Sequence, residues 1–401
     1  MRYQSARMDQ IPPYMFAELG KKKAAMIKAG IDVIDLGIGD PDLPTPAHIV
    51  DKLGEEARKP ENLRYPNFSG HPEFRKAVAE FYMREYQVEL DPETEVLALI
   101  GSKEGIAHLV PSMIDPGEIV LVPDPCYPPY RMAVLLAGGS FHNMPMKKET
   151  GFKPIFADIP EGVLAKTRLM FLNYPGNPTA ASVDGSFFQE AVDFAKENRL
   201  VIAHDSAYNK VTFGDYKAPS ILEAKGARDV AVEFGSLSKT YCMTGWRIGY
   251  VVGNKEVIRA LAVYKNNTDT GQFTPIQLAA AHALRGDQTC IEDYNRVYFN
   301  RMKGMVGALR EIGIDAEEPK ATFFIWAPVP PGFSSAEFSA AVLEQAGVIV
   351  TPGSAFGPSG EGFFRVSLSV PSDRLEEAAN RIKKQNKLRG DGRDKDVETL
   401  R

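Results

Sequence analysis

The sequence predicts an α/β fold: a large domain with a mostly parallel central sheet flanked by helices, and a smaller α+β domain. Two observations carry this. Short apolar runs without alternation, Val96–Ile100, Ile119–Val122, Arg168–Leu172, Leu200–His204 and Ala231–Gly235, read as strands buried on both faces. Helical patterns lie between them, as at Lys103–Met113 and at Gly185–Arg199, where Phe187, Phe188, Val192 and Phe194 recur at roughly helical spacing. In such an order the chemistry is expected beyond the carboxyl ends of the strands.

After about Thr274 the pattern changes. A long helical stretch at Gln288–Ile312 precedes a strand at Phe323–Ala327, a helix near Ser334–Ala346, strands at Val348–Thr351 and Phe363–Ser369, and a closing helix at Ser372–Gln385. The expected division is an N-terminal arm joining the small domain (1–43), a large domain (44–274), a small C-terminal domain (275–386) and a polar tail that frays (387–401).

Composition narrows the function classes. The 401 residues suit two or three domains, and 44% hydrophobic with 25% charged residues is ordinary for a globular chain. With 47 Lys+Arg against 52 Asp+Glu, the net charge of -5 gives no reason to expect nucleic acid or an anionic membrane. No apolar run approaches a membrane span, and MRYQSARMDQ lacks an apolar signal core. The three cysteines, Cys126, Cys242 and Cys290, fit neither a disulfide framework nor a paired zinc site, so a cytoplasmic location is expected and no metal.

Six segments carry candidate chemistry. In GSLSKTYCMTGWRIG, Lys239 stands among Ser236, Ser238 and Arg247. This is either a polar turn with a solvated lysine or a phosphate site whose arginine supplies a forked donor set. An amine beside a bound phosphate has the placement for a Schiff base with the aldehyde of pyridoxal phosphate. NYPGNPT follows a strand; it is an ordinary turn, or Asn177 is an amide donor to a phenolic oxygen. In AHDSAY, Asp205 either caps a helix or pairs with a protonated ring nitrogen, with Tyr208 a second donor to that phenolic oxygen. Two donors there would lower the pKa of an imine on Lys239.

GSKEG, between a strand and a helix, offers Ser102 and backbone N–H groups to a phosphate, while Lys103 is either nearby or solvated. Tyr127 in DPCYPPY packs in a loop or stacks on a flat ring. Arg365 in FFRVSLS is a charge in an apolar strand, which requires an anionic partner. That partner is a structural carboxylate or the carboxylate of a substrate.

In this order, from DLGIGDPDLPTP to FFRVS, the segments resemble the class I/II pyridoxal-phosphate aminotransferases of fold type I. The resemblance covers nearly the whole chain. It implies pyridoxal 5'-phosphate as cofactor, an amino acid and a 2-oxo acid as substrates, and a homodimer with shared active sites. It makes Lys239 the Schiff-base lysine, Asp205 the partner of the ring nitrogen, Asn177 and Tyr208 donors to the phenolic oxygen, and Tyr127 the stacking ring. Ser102, Lys103, Ser236, Ser238 and Arg247 fall around the phosphate, and Tyr65 in LRYPNFSG reaches the neighbouring subunit's phosphate. Arg365 and the backbone at Gly39 take the substrate's α-carboxylate, with Tyr14, Lys103, Tyr127 and Asn177 also near substrate. Residues 266–273 are expected to approach the partner's site. Ala180 stands where a glycine is usual, and Cys126 and Pro129 replace a glycine and an aliphatic residue.

Overall fold

The computed structural model describes residues 3–12 and 15–385, so Tyr14 and the tail 387–401 lie outside the described residues. Contacts divide the chain into two units. Among the described residues the first comprises 3–12, 43–295 and 320–322; the second comprises 15–42, 296–319 and 323–385.

The first unit is built on a seven-stranded sheet. In chain order the strands are β1 (Val96–Leu99), β2 (Ile119–Asp124), β3 (Ser140–Pro145), β4 (Thr167–Asn173), β5 (Val201–Asp205), β6 (Ala231–Ser236) and β7 (Gly249–Gly253). Across the sheet they run β1-β7-β6-β5-β4-β2-β3. All neighbours are parallel except β7, which is antiparallel to both β1 and β6. The carboxyl ends of β1, β2, β4, β5 and β6 therefore share one edge, where β7 begins.

Both faces are covered, as the unalternating strands require. Ala231 of β6 joins Phe74, Val78, Phe188 and Val192 in one core; Val232 and Phe234 join Ile106, Leu109, Val120 and Phe171 in the other. The helix Gly185–Asn198 starts where the Asp184 carboxylate accepts from the Ser186 and Phe187 N–H groups, and it buries Phe187, Phe188, Ala191, Val192 and Ala195. Phe194 is only partly buried.

The sequence places the large domain's end at 274, but contacts carry the first unit to 295. The reason is local packing: the helix Thr274–Arg285 lies on the helices Ala47–Glu56 and Pro72–Tyr86, and its Ala279, Ala280, Ala283 and Leu284 belong to the first core. Residues 3–12 also join this unit rather than the small one; Arg7 donates to the Leu136 carbonyl at 2.6 Å.

The second unit has its own small sheets. Phe324–Pro328, Phe363–Ser367 and Thr351–Pro352 form an antiparallel three-stranded sheet, and Ile34–Asp35 pairs in parallel with Val348–Ile349. The expected strand Val348–Thr351 is thus split between two sheets. The helix Ser335–Ala346 opens on a capping box made by Ser334 and Glu337, and Ser372–Lys383 closes the described chain. Among the described residues no helix is long and apolar enough to cross a membrane.

Candidate active site

The sheet edge gathers the first unit's candidates. Asp205 ends β5, is 5% exposed, and accepts a hydrogen bond from the Tyr130 hydroxyl at 2.7 Å on Oδ2. Its other oxygen, Oδ1, is buried without a hydrogen-bond partner among the described residues. Burial pushes this carboxyl's pKa up, against the lowering pull of the Tyr130 hydrogen bond, of His204 and, least, of the Ala207 N–H. A buried carboxylate oxygen held without a donor fits a ligand that brings one.

Asn173, at the end of the adjacent β4, ties the next group to Asp205. Its Nδ2 donates to the Asp205 carbonyl at 2.7 Å, and its Oδ1 accepts the Asn177 N–H at 2.7 Å. Asn177 is half-buried in the turn that follows; the Tyr208 side chain lies buried after β5. Tyr127 is half-buried and meets Tyr130 edge-on at 5.7 Å, while Tyr130 stacks on Phe171 at 4.8 Å.

Ala180 adopts a left-handed backbone, φ 54°, and is 7% exposed. That conformation costs an alanine about 1–2 kcal/mol, which explains the usual glycine, but a buried methyl returns about 0.8 kcal/mol and glycine is freer when unfolded. Ala180→Gly should therefore change stability by less than about 1 kcal/mol, whereas the β-branched Ala180→Val should lose more than about 2 kcal/mol. Urea midpoints of the two variants check this.

The phosphate-binding candidates meet at the ends of β1 and β6. Gly101, φ 82°, lets the chain turn from β1 into the helix Ser102–Met113. A Cβ on Gly101 would lie 2.4 Å from Arg247 Nη2, so the guanidinium sits directly over the start of that helix. A Cβ on Gly249 would lie 2.9 Å from the Ser102 nitrogen, and Gly249 pairs with Ser236 in register. Ser236 accepts from the Ser238 N–H at 3.2 Å and opens the turn Leu237–Thr240, in which Lys239 is half-buried. Helix N–H groups, two serines and an arginine make an anion cradle. Lys103 is exposed, and so is Tyr65, at 89%.

Several partners escape the sequence reading. Tyr130 and Asn173 orient Asp205 and Asn177, although both stand inside motifs already singled out. Glu104, His108 and Asp269 come close enough together to hold a cation, but the buried Lys265 ammonium is already among them, 2.6 Å from Asp269 and 3.5 Å from Glu104. This pairing anchors the start of 266–273; further on, Gln272 donates to the Trp246 carbonyl at 2.7 Å. Cys126 is packed in the second core, where burial pushes its thiol up to about 12, and Pro129 takes the first position of the helix Pro129–Ala137.

In the second unit Arg365 is 2% exposed, with its guanidinium 4.2 Å from the Phe324 ring centre and 4.7 Å from that of Phe356. Its Nη2 donates to the Gly37 carbonyl at 2.6 Å. A Cβ on Gly39 would lie 2.5 Å from the same Phe324 ring, so any side chain there would have to displace that ring.

Residues 31–382 match the model of the family described as aminotransferase class I and II, and the chain belongs to that family. It is a pyridoxal-phosphate-dependent transaminase. It is 49% identical to an LL-diaminopimelate aminotransferase of Moorella thermoacetica over 381 residues, covering 95% of this chain and 98% of that one. An enzyme of the same name from Aquifex aeolicus is 50% identical over 94% of this chain and 98% of its own. The substrate-bound structure of BacF from Bacillus subtilis superposes with a TM-score of 0.93 at 39% identity, covering 96% of this chain and 98% of that one.

Proposed function

We propose that this chain transfers the amino group of LL-diaminopimelate to 2-oxoglutarate, releasing a keto acid that cyclises to tetrahydrodipicolinate, as a step of lysine biosynthesis. The observation that carries the substrate is the 49–50% identity to enzymes of that name over 94–95% of the chain. GSKEGIAHL, VLVPDPCYPPY, SLSKTYCMTGWRIGY and KATFFIWAPVP also resemble the bacterial form of that enzyme. The donor set supports pyridoxal 5'-phosphate: an anion cradle, a lysine, and a buried carboxylate oxygen awaiting a donor lie along one sheet edge.

Bound there, the cofactor supplies an aldehyde for an amine and a ring that accepts the electrons left when an α-proton departs. Asp205 keeps the ring nitrogen protonated; Asn177 and Tyr208 donate to the phenolic oxygen; Tyr127 covers the ring face. Ser102, Lys103, Ser236, Ser238 and Arg247 hold the phosphate. Lys239 moves the α-proton as general base and then general acid. Arg365 and the Gly39 backbone take the substrate's α-carboxylate, with Tyr14, Lys103, Tyr127 and Asn177 against the rest of the amino acid.

The proposed assembly is a cytoplasmic homodimer in which Tyr65 serves the neighbouring subunit's phosphate. Its 89% exposure in a single chain supports that role, and the free cysteines Cys126, Cys242 and Cys290 suit a reducing compartment.

A panel of amino donors with 2-oxoglutarate tests the substrate. LL-diaminopimelate should exceed aspartate, phenylalanine and tyrosine in kcat/KM by at least about 100-fold, since a site built for a second polar terminus discriminates strongly against its absence. A better rate with an aromatic or aspartate donor would overturn the substrate while leaving the reaction. Ammonia or thiol released without a keto acceptor would make the chain a lyase.

A further inference from the structure

His204 and Glu233 lie directly opposite each other on β5 and β6, both 0% exposed. His204 Nδ1 is 2.8 Å from Glu233 Oε2. Strand alternation points His204 to the face opposite Asp205, its immediate neighbour. There the imidazole packs edge-on to Phe188 at 4.7 Å, while its Nε2 lies 2.9 Å from the Tyr174 carbonyl oxygen and 3.3 Å from the Tyr174 nitrogen. The ring therefore grips the peptide that begins the Asn177 turn. Glu233 accepts from the Tyr82 hydroxyl at 2.6 Å, the Ser220 hydroxyl at 2.9 Å and the Ile221 N–H at 2.9 Å.

We propose that the His204–Glu233 pair is a positioning device that holds the three strand ends bearing Asn177, Asp205 and Lys239 in fixed relation for the cofactor ring. Each partner reaches one of those ends: Tyr174 continues β4, His204 adjoins Asp205, and Glu233 lies in β6 three residues before Ser236. Stability alone is a poor reason for the pair, because replacing both members of a buried polar pair by apolar residues of similar shape is commonly neutral or stabilising. His204 also acts on Asp205 electrostatically, lowering its pKa against the burial that raises it. The inference rests on the cofactor assignment made above.

The test compares cofactor-loaded wild type with His204→Gln, Glu233→Gln, the milder Ser220→Ala, and Val192→Ala as an apolar comparator from the same core that makes no hydrogen bond to the pair. Four quantities are read: the pH midpoint of the visible cofactor band, the cofactor Kd on reconstitution, the melting temperature, and kcat separately from KM. In His204→Gln and Glu233→Gln the midpoint should rise by about half a pH unit or more, because a less firmly held ring-nitrogen proton repels the proton on the lysine-bound nitrogen less. Cofactor affinity and kcat should fall about 10- to 100-fold, with KM for the donor within about twofold. Ser220→Ala should shift the midpoint the same way by less, so it decides the matter should the stronger variants not fold. Val192→Ala should lower only the melting temperature. Variants that melt earlier yet keep the wild-type midpoint and Kd would reduce the pair to a structural one and overturn the proposal. A wild type with no visible band would instead remove the cofactor assignment itself.

Discussion

Lys239→Ala will leave a folded protein that transaminates at least about 10⁴-fold more slowly than wild type, since one side chain is asked both to bond the cofactor and to carry the α-proton. Folding should survive because Lys239 is half-buried, whereas its neighbours Leu237, Ser238 and Thr240 supply the buried contacts of the turn. The Ser236 cap and the Gly249 pairing do not involve the lysine side chain. A loss of activity with the melting temperature held within a few degrees is therefore the expected pattern. Borohydride reduction followed by peptide mass analysis gives a second readout: wild type carries the cofactor mass on the Lys239 peptide and the variant does not. Substantial turnover in the variant, or wild-type label on another peptide, would remove Lys239 from the chemistry and leave the roles of Asp205 and Asn177 without a reaction to serve.

Much of this is legible in the amino-acid sequence, for a physical reason. Strands buried on both faces carry few polar positions to blur them, His204 in β5 and Glu233 in β6 among those few, so β1, β2, β4, β5 and β6 stand out as mostly apolar runs. β3 does not, because SFHNMP lies at the sheet's edge and is mostly half-exposed. β7, GYVVG, is short and follows the lysine motif so closely that it passes for its continuation, and with it the antiparallel pairing was hidden. The contact-defined unit runs past the expected boundary for a related reason: an alanine-rich helix such as Thr274–Arg285 says that it packs, not on what. In the site, residues that must contact a ligand stand in turns dense with Gly, Pro and Ser. Asn173 holds Asn177 from within one motif, but its bond to Asp205, and those of Tyr130, His204 and Glu233, reach partners about thirty or more residues away, and no local pattern marks such pairs.

Asp205→Asn separates function from stability in opposite directions. In the cofactor-free protein the carboxylate is buried with one oxygen lacking a donor, and its pKa is raised chiefly by that burial. A carboxyl with a raised folded pKa stabilises the fold fully only below its ordinary value of 3.8, and that contribution is lost as pH rises through the raised value. Toward neutral pH the cofactor-free chain therefore bears the cost either of a poorly satisfied charge or of a proton held against the solvent. The amide cannot ionise and still accepts from Tyr130, so cofactor-free Asp205→Asn should be more stable than wild type at neutral pH by about 1–2 kcal/mol, with the difference shrinking toward pH 4. Adding cofactor should reverse the order of benefit: wild type gains a ring-nitrogen proton for Oδ1 and its melting temperature climbs further than the variant's. Activity should fall at least about 10²-fold, because the amide offers no countercharge to that proton. Scanning calorimetry of both proteins, with and without pyridoxal 5'-phosphate at two pH values, reads all of this. A variant less stable than wild type in the cofactor-free state at neutral pH would mean that Asp205 is satisfied by the fold itself, and the strained carboxylate would no longer account for the placement of the ring.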